Sequence, residues 1–267
     1  MISRLSAFNA LMPKDFGARR AARALRFGDH PRQALDVYVP RRRPSGPLPL
    51  VLFFYGGNWA AGMRQGYGFA GRALASRGFV AAVPDYRLVP EFRFPAFLED
   101  GAAALRRLRQ EAGRFGADPA RSVVVGHSAG AYIASMLALD PQWLGPERPA
   151  LRGFAGLAGP YDFLPLDTAA TRVAFGKAED LDATQPINFV SPDAPPALLL
   201  HGLQDRTVAL RHSRELARRL EAAGAEAEVR LYPRLGHVGM ATALALPFRR
   251  RAPVLADLAS FIAKVCA

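Results

Sequence analysis

The pentapeptide Gly126-His127-Ser128-Ala129-Gly130 places a serine between two glycines, after an apolar run typical of a buried strand and before a helix-type run. A chain that turns sharply from strand to helix has room only for glycine on either side of the turn. The turning residue is then held in a strained conformation with its side chain above the sheet. Free N–H groups at the start of the helix can stabilise an oxyanion. The pattern favours Ser128 as a nucleophile over the alternative, a serine that only caps a helix in a tight turn.

A serine hydroxyl is a weak nucleophile at neutral pH and needs a base, which the five histidines of the chain could supply. His237, in LYPRLGHVGM, follows the last predicted strand and is expected at the carboxyl edge of the sheet, where Ser128 is also expected. Position and elimination together select His237. The other histidines are expected to have other roles: His30 and His212 at the surface, His127 with its ring directed elsewhere, and His201 buried and hydrogen-bonded at a strand end.

The base needs a carboxylate that fixes its tautomer and stabilises the imidazolium. Asp205, in LLLHGLQDRTV, comes just after the predicted strand 196–202. It is therefore also expected at the carboxyl edge of the sheet. Asp193 and Asp162 are rival acids, but both lie in or beside the segment 160–195, where loop and turn roles are common for aspartate. The placement after a strand therefore selects Asp205.

A second source of backbone N–H groups follows the first buried strand, in the stretch Gly56-Gly57-Asn58-Trp59. Two consecutive glycines let the main chain approach a ligand without a clash from a Cβ atom. The alternative is an ordinary glycine turn. Because this stretch occurs together with the elbow at Ser128, we interpret it as part of an oxyanion hole.

Strands and helices alternate along the chain, which predicts a mostly parallel sheet with helices on both faces, an α/β fold of one domain over residues 1–267. The segment 160–195 interrupts this alternation, is rich in Pro, Asp and Thr, and predicts a small cap over the carboxyl edge. The predicted strands are 34–40, 50–55, 79–86, 122–126, 153–159, 196–202 and 227–233. The predicted helices are 63–78, 95–116, 128–139, 206–223 and one that begins near 248.

Composition excludes several classes of protein. The charge of +12 comes from 35 Lys+Arg against 23 Asp+Glu, and its dispersed arginines argue against nucleic-acid binding. No apolar run approaches the roughly 20 residues of a membrane span, and the N-terminus lacks the apolar core of a signal peptide. Cys266 is the single cysteine, which excludes a disulfide and suits a reducing cytoplasm, the expected location.

Residues 1–27 are basic, poor in acids and interspersed with large apolar residues. We expect an N-terminal arm that packs over the domain. The alternative is an amphipathic helix that contacts a membrane surface.

Four stretches together resemble the esterase branch of the α/β-hydrolase superfamily: FFYGGNW, PDYRLVPEFRFP, VVVGHSAG and LLLHGLQDRTV with LYPRLGH. This branch includes hormone-sensitive-lipase-like and feruloyl-esterase-like carboxylesterases and the kynurenine formamidases. The resemblance covers about residues 35 to 240. It implies an α/β-hydrolase fold with Ser128 as nucleophile, His237 as general base and then acid, and Asp205 as its orienting acid. It also implies an oxyanion hole of three backbone N–H groups, those of Gly57, Asn58 and Ala129.

One position departs from the family pattern, because Tyr55 stands where relatives usually have the histidine of a His-Gly-Gly loop. In relatives that histidine helps to hold the oxyanion loop in shape. Tyr55 either does a similar job through its hydroxyl or leaves the loop less rigid. The segment 84–91 is structural in the family and receives no catalytic role.

These features predict a serine hydrolase of small carboxylic esters that forms an acyl-enzyme and needs neither metal nor cofactor, since side chains supply the nucleophile. An amide hydrolase of the N-formylkynurenine formamidase type is the nearest rival. A catalytically silent binding module is a rival from another class. A lipase that acts at a membrane surface through residues 1–27 is a third. The sequence does not predict an oligomeric state.

Overall fold

The computed structural model describes residues 8–9, 11–42 and 45–267. Its frame is an eight-stranded sheet. The strands are β1 Ala18–Arg26, β2 Ala34–Pro40, β3 Leu48–Phe54, β4 Val80–Pro84, β5 Ala117–His127, β6 Leu151–Leu157, β7 Ala197–Gly202 and β8 Ala227–Tyr232.

The strand order across the sheet is β1-β2-β4-β3-β5-β6-β7-β8. β2 pairs antiparallel with both β1 and β4, and the remaining neighbours are parallel. Strand β3, with the sequence LPLVLFF, is buried along its whole length because both faces of a central strand are covered by helices. The outer strand β8 instead alternates half-buried and exposed residues over most of its length. The predicted mostly parallel α/β fold is confirmed.

Helices connect the parallel strands and cover both faces of the sheet. They are α1 Gly68–Ala75, α2 Ala96–Gln110, α3 Ala112–Phe115, α4 Ala129–Leu139, α5 Ala169–Phe175, α6 Arg211–Ala222, α7 His237–Thr242 and α8 Val254–Val265. Short 3₁₀ turns span Arg64–Tyr67, Gly145–Ala150, Asp182–Thr184, Pro186–Phe189 and Leu246–Arg251. No helix in the described ranges combines the length and the apolar character that crossing a bilayer requires.

The N-terminal segment differs from the sequence prediction. Residues 18–26, assigned there to an arm or an amphipathic helix, form the edge strand β1, which pairs with β2. The arginines of ARRAARALR suit an edge strand, because charged side chains on a sheet edge hinder pairing with other chains. Residues 1–7 and 10 of the predicted arm lie outside the described residues.

Two predicted helix starts are also displaced. The helix predicted from 206 begins at Arg211, because the backbone N–H groups of Thr207 and Val208 turn back to the carboxylate of Asp205. The last helix begins at Val254, after a 3₁₀ turn and Pro253. The short helix α7 was missed, because its six residues are too few for a periodic pattern.

The segment 160–195 contains α5 and two 3₁₀ turns in otherwise irregular chain. Phe163, Leu164 and Thr168 in this segment line a cavity together with Ser128. The segment therefore lies beside the carboxyl ends of the strands, where it can shape what reaches Ser128.

Candidate active site

Ser128 occupies the turn between β5 and α4, with φ 55° and ψ −122°. Positive φ is unfavourable for a residue with a Cβ atom and persists only where the surroundings enforce it. The surroundings here are backbone atoms. A Cβ on Gly126 would lie 2.0 Å from the carbonyl oxygen of Gly130, and a Cβ on Gly130 would lie 2.2 Å from that of Phe54. The two glycines thus allow β3, β5 and α4 to meet closely at this turn.

The structure brings together the three side chains selected from the sequence. His237 Nε2 lies 2.8 Å from Ser128 Oγ, and His237 Nδ1 lies 2.7 Å from Asp205 Oδ2. The three residues follow the carboxyl ends of β5, β7 and β8, and His237 is the first residue of α7. Parallel strands direct these ends to one edge of the sheet, which is why residues far apart in sequence converge there.

Asp205 remains a carboxylate although its side chain is only 1% exposed. Burial alone would raise the pKa of this group, but hydrogen bonds from His237 and from the N–H groups of Val208 and Thr207 outweigh it and lower the pKa below its usual value. An ionised Asp205 accepts a hydrogen bond from the N–H at His237 Nδ1, which leaves Nε2 as the acceptor for the serine hydroxyl.

Two more histidines support this arrangement. His127 Nε2 donates to the carbonyl oxygen of His237 at 2.9 Å, so its ring is bonded to the base's backbone and not to Ser128. Its other nitrogen, Nδ1, is buried without a hydrogen-bond partner among the described residues. His201 is fully buried, as predicted, and bonds to Ser213 Oγ and to the carbonyl of Val208. Both are held neutral, since burial lowers the pKa of each, that of His127 to about 3.

The prediction that His212 lies at the surface was wrong. It is only 7% exposed and lines the cavity that contains Ser128. Its polar sequence context misled, because the flanking Arg211 and Arg214 are exposed while the helix turns His212 inward. Of the rival acids, Asp162 donates its backbone N–H to His212, and Asp193 is exposed before the start of β7, at the opposite edge of the sheet.

The loop after β3 lies against the nucleophile. A Cβ on Gly56 would come within 2.8 Å of Ser128 Cβ. The next three residues all have positive φ: 146° at Gly57, 54° at Asn58 and 57° at Trp59. Asn58 lines the same cavity as Ser128 and Ala129. Ala129 begins α4, so its N–H has no acceptor within the helix.

Hydrogen bonds of the Tyr55 hydroxyl hold the start of this loop in place. It donates to Asp85 Oδ1 at 2.9 Å and accepts from Arg32 Nη2 at 2.6 Å, and the same Arg32 nitrogen donates to the carbonyl oxygen of Gly62 at 2.8 Å. The Tyr55 ring stacks against those of Tyr67 and Tyr86, with centroids 5.3 and 4.8 Å away. Of the two alternatives left open by the sequence, this geometry supports a tyrosine that holds the loop.

Asp85, which bonds to Tyr55, also belongs to a buried ion cluster with Arg64 and Asp36. Arg64 donates from its backbone N–H to Asp85 Oδ1 at 2.6 Å and from Nε to Asp36 Oδ1 at 3.1 Å, and its Nη1 bonds to Asp85 Oδ2. Sequence reasoning missed Arg32 and Arg64, because their carboxylate partners are distant in the chain. In the sequence, Asp85 in the stretch PDYRL was the one residue that could have indicated this cluster.

The cavity at Ser128 has a volume of about 490 Å³. Its walls differ in character. One wall is aromatic and apolar, with Trp59 and Phe163, and another is polar, with Thr168, Arg211 and His212. Pockets of this size and mixed lining bind small organic molecules. Within residues 8–9, 11–42 and 45–267, no three His, Cys, Asp or Glu side chains are grouped to hold a metal ion.

Profiles of two known families match the chain. The profile named BD-FAE matches residues 35–147, and that of the prolyl oligopeptidase family matches residues 97–266. Because the second match covers more than half of the chain, the chain belongs to this family of α/β hydrolases. The predicted membership of the α/β-hydrolase superfamily, in its esterase branch, is confirmed.

The curated relatives include esterases. Esterase LipC of Mycobacterium tuberculosis is 31% identical over 222 residues, which cover 75% of this chain and 55% of LipC. A probable isoprenylcysteine alpha-carbonyl methylesterase of Oryza sativa is 28% identical over 242 residues, or 81% of this chain and 58% of that protein. The chain thus spans a little over half the length of these relatives.

Solved structures share the fold. Esterase B from Lactobacillus rhamnosis superposes with a TM-score of 0.85 at 22% identity, over 98% of this chain and 90% of that one. A truncated carbohydrate esterase from gut microbiota has a TM-score of 0.80 at 21% identity, over 96% of this chain and 99% of that one.

Proposed function

We propose that this protein is a serine hydrolase that cleaves small carboxylic esters through an acyl-enzyme, with Ser128 as nucleophile, His237 as base and Asp205 as the acid that orients it. The unbroken hydrogen-bond chain from Asp205 through His237 to the hydroxyl of Ser128 carries the proposal. The curated relatives named as esterases support the choice of an ester bond.

In the first half of the reaction, His237 Nε2 takes the hydroxyl proton as Ser128 Oγ forms a bond to the acyl carbon. The carbonyl π electrons move to oxygen and give a tetrahedral oxyanion. His237 then gives its proton to the leaving alkoxide oxygen as the carbonyl re-forms, and the alcohol departs. Asp205 stabilises the transient imidazolium. In the second half, water replaces the alcohol and regenerates the serine.

The backbone N–H groups of Gly57, Asn58 and Ala129 would hold the oxyanion. The positive φ values of Gly57 and Asn58 and the position of Ala129 at the start of α4 support this role. Donors fixed in the fold need no reorganisation when charge develops on the substrate. The hydrogen bonds of the Tyr55 hydroxyl would keep the loop in that position.

Amide hydrolysis would use the same groups, so the ester assignment rests on substrates and not on the catalytic residues. Assays of N-formylkynurenine beside aryl esters separate the two reactions, and we expect a larger kcat/KM for the esters. A silent binding module is disfavoured, because it has no use for three side chains within hydrogen-bond distance of one another.

Ser128→Ala should lower the turnover of p-nitrophenyl acetate by about 10⁴-fold or more. Ser135→Ala is the matched control, since Ser135 lies on the same helix but bonds to the carbonyl of Tyr132. A fluorophosphonate probe should label the wild-type protein and the control but not Ser128→Ala. Comparable hydrolysis by Ser128→Ala would reject the proposal.

A further inference from the structure

The first two residues of α6, Arg211 and His212, line the cavity beside Ser128 but have no part in the reaction derived above. They also line a smaller hollow of about 290 Å³ next to it, with Asp162 and Glu215. His212 supplies a hydrogen-bond donor, and Arg211 supplies a cation without an ion-pair partner among the described residues.

His212 is the buried donor. The backbone N–H of Asp162 lies 3.3 Å from His212 Nδ1 and can only donate, so Nδ1 is unprotonated and the ring proton sits on Nε2. Burial, reinforced by the charge of Arg211, lowers the pKa of His212 to about 4, so the ring is neutral near pH 7. No described residue accepts a hydrogen bond from Nε2. Because His212 lines the cavity, this N–H is available to a ligand there.

Arg211 is the unpaired cation. Its exposed side chain forms no ion pair or hydrogen bond with any residue in the described ranges. Glu215, one turn further along α6, is held by Arg218 and Arg219. The carboxylates of Asp162 and Asp167 are not within ion-pair distance of Arg211. The guanidinium is therefore available to a ligand.

The start of α6, a helix of 12 residues, adds partial positive charge beside Arg211. Two carboxylates are also near His212: Asp167 in the cap segment lines the same cavity, and Asp162 lines the adjoining hollow. An anionic group is therefore expected to contact Arg211 and His212 on the α6 side. Positive potential in a cleft raises the local concentration of anionic ligands.

We propose that Arg211 and His212 form an anion subsite, which binds a carboxylate or similar oxyanion of the substrate while its ester group lies at Ser128. The preferred substrates are then small esters with an acidic group remote from the scissile bond. This inference rests on the proposed function, because it assigns a substrate class to the same site.

The test compares matched esters in two arms. In the acyl arm, mono-4-nitrophenyl adipate is compared with 4-nitrophenyl hexanoate. In the alcohol arm, 4-carboxyphenyl acetate is compared with phenyl acetate. The quantity measured is the ratio of kcat/KM for the anionic ester to that for its neutral partner. The variants are Arg211→Gln, Arg211→Lys and, as a control of equal charge change on an exposed residue of the same helix, Arg214→Gln.

In at least one arm, Arg211→Gln should lower the ratio by about tenfold, because hydrogen bonds between charged groups are the strong ones. His212→Phe should lower it less, by about threefold, since it removes a neutral donor. Arg211→Lys should retain part of the ratio and Arg214→Gln all of it.

Ratios that are the same in Arg211→Gln and Arg214→Gln in both arms would overturn the subsite. The proposed function would survive that result as long as the neutral esters are cleaved in a Ser128-dependent reaction. If wild-type protein cleaves none of the four esters, the proposed function fails and the subsite fails with it.

Discussion

Two walls of the cavity at Ser128 are held in place by different kinds of contact. We call the turn that carries Ser128 the elbow wall. The glycines packed behind it, Gly126 and Gly130, lie against main-chain atoms of Gly130 and Phe54. The cap wall, residues 160–195, depends on side-chain contacts in addition to a few main-chain hydrogen bonds. Gln185 Oε1 accepts the backbone N–H of Phe163 at 2.7 Å, for example. Rearranging the elbow requires moving strands, whereas rearranging the cap requires changing side chains.

Contacts between aromatic side chains also hold the cap wall. Phe163 packs against Phe175 and Tyr132, with ring centroids 5.1 and 5.8 Å away, and Trp59 joins them from the loop after β3. Such contacts tolerate exchange of one apolar group for another far better than main-chain contacts tolerate an added atom. We therefore expect the elbow wall to determine whether hydrolysis occurs and the cap wall to determine which ester is cleaved.

The largest effect is expected from Gly130→Ala, which tests the elbow wall directly. Its Cβ would lie 2.2 Å from the carbonyl oxygen of Phe54, so β3 and α4 must separate. The free energy of unfolding should fall by about 3 kcal/mol or more, with loss of esterase activity. Urea denaturation followed by circular dichroism measures the change.

Gly113→Ala is the matched control for this variant. No heavy atom lies within 4 Å of a Cβ at Gly113, which is in the short helix α3. Alanine there should stabilise the protein by roughly 0.5–1 kcal/mol. Equal effects at the two glycines would remove the distinction between the walls.

The next prediction concerns Tyr55, where a side chain supports the elbow wall. Tyr55→Phe removes the hydroxyl that joins Asp85 and Arg32. Leaving these buried partners less satisfied should lower the free energy of unfolding by about 1–3 kcal/mol. Because the loop carries proposed oxyanion donors, kcat should fall by roughly tenfold with little change in KM.

Tyr132→Phe makes the same chemical change in another fully buried tyrosine. The Tyr132 hydroxyl is buried and has no hydrogen-bond partner in the described part of the chain, so its loss should leave stability unchanged or slightly raised. If Tyr55→Phe, like Tyr132→Phe, changed neither the free energy of unfolding nor kcat, the Tyr55 hydroxyl would have no role in holding the loop.

The contrast between the walls also explains what could be predicted from sequence. Local steric requirements leave a short pattern, so the glycines around Ser128 and the strands that carry them are readable from residue order alone. The positions of Asp205 and His237 followed from the rule that parallel strands end at one edge. The first inference depends only on residues adjacent in the chain, and the second depends only on the order of strands and helices.

The remaining parts depend on contacts between residues distant in sequence, which leave no local pattern. Arg32 bonds to Tyr55 across 23 positions, and Arg64 to Asp36 across 28. His212 looked like a surface residue because burial on a helix depends on which face meets the protein. Strand β1 was mistaken for part of an arm, since a basic edge strand lacks the apolar alternation by which strands are recognised.

A smaller effect is expected at the cap wall. Gln185→Leu removes the acceptor for the Phe163 N–H while keeping a buried side chain of similar size. Stability should fall by about 1–2 kcal/mol, and the acyl-chain preference should shift several-fold through movement of Phe163. Rates for 4-nitrophenyl acetate, butyrate and hexanoate measure the shift.

Asn188→Ala is the control, because Asn188 is exposed and donates to the carbonyl of Asp182. It should change neither stability nor preference by more than a few tenths of a kcal/mol. A Gln185→Leu protein with an unaltered chain-length profile would show that the cap wall does not set specificity.

The last prediction concerns an effect that is absent at neutral pH and appears only in acid. It compares one buried neutral histidine from each side of the cavity, His127 behind the elbow and His212 opposite it. The unfolded state takes up a proton at each histidine below about pH 6.5, whereas the folded state resists until about pH 3 for His127 and about pH 4 for His212. Stability is thus fully present above pH 6.5 and is lost as the pH falls toward those values, by at most about 1.4 kcal/mol per pH unit for each histidine.

His127→Gln and His212→Gln should each flatten the fall in the free energy of unfolding between pH 6 and about pH 4.5, measured in urea. Glutamine keeps a donor for the carbonyl of His237 in the first case and an acceptor for the N–H of Asp162 in the second, so each variant removes mainly the titration. Below about pH 4 only His127→Gln should continue to flatten the slope, because the pKa of His127 is the lower of the two, whereas the advantage of His212→Gln should stay constant. A His127→Gln protein with the slope of wild type would mean that the ring behind the elbow is solvated, and that this wall is less closed than its glycine contacts indicate.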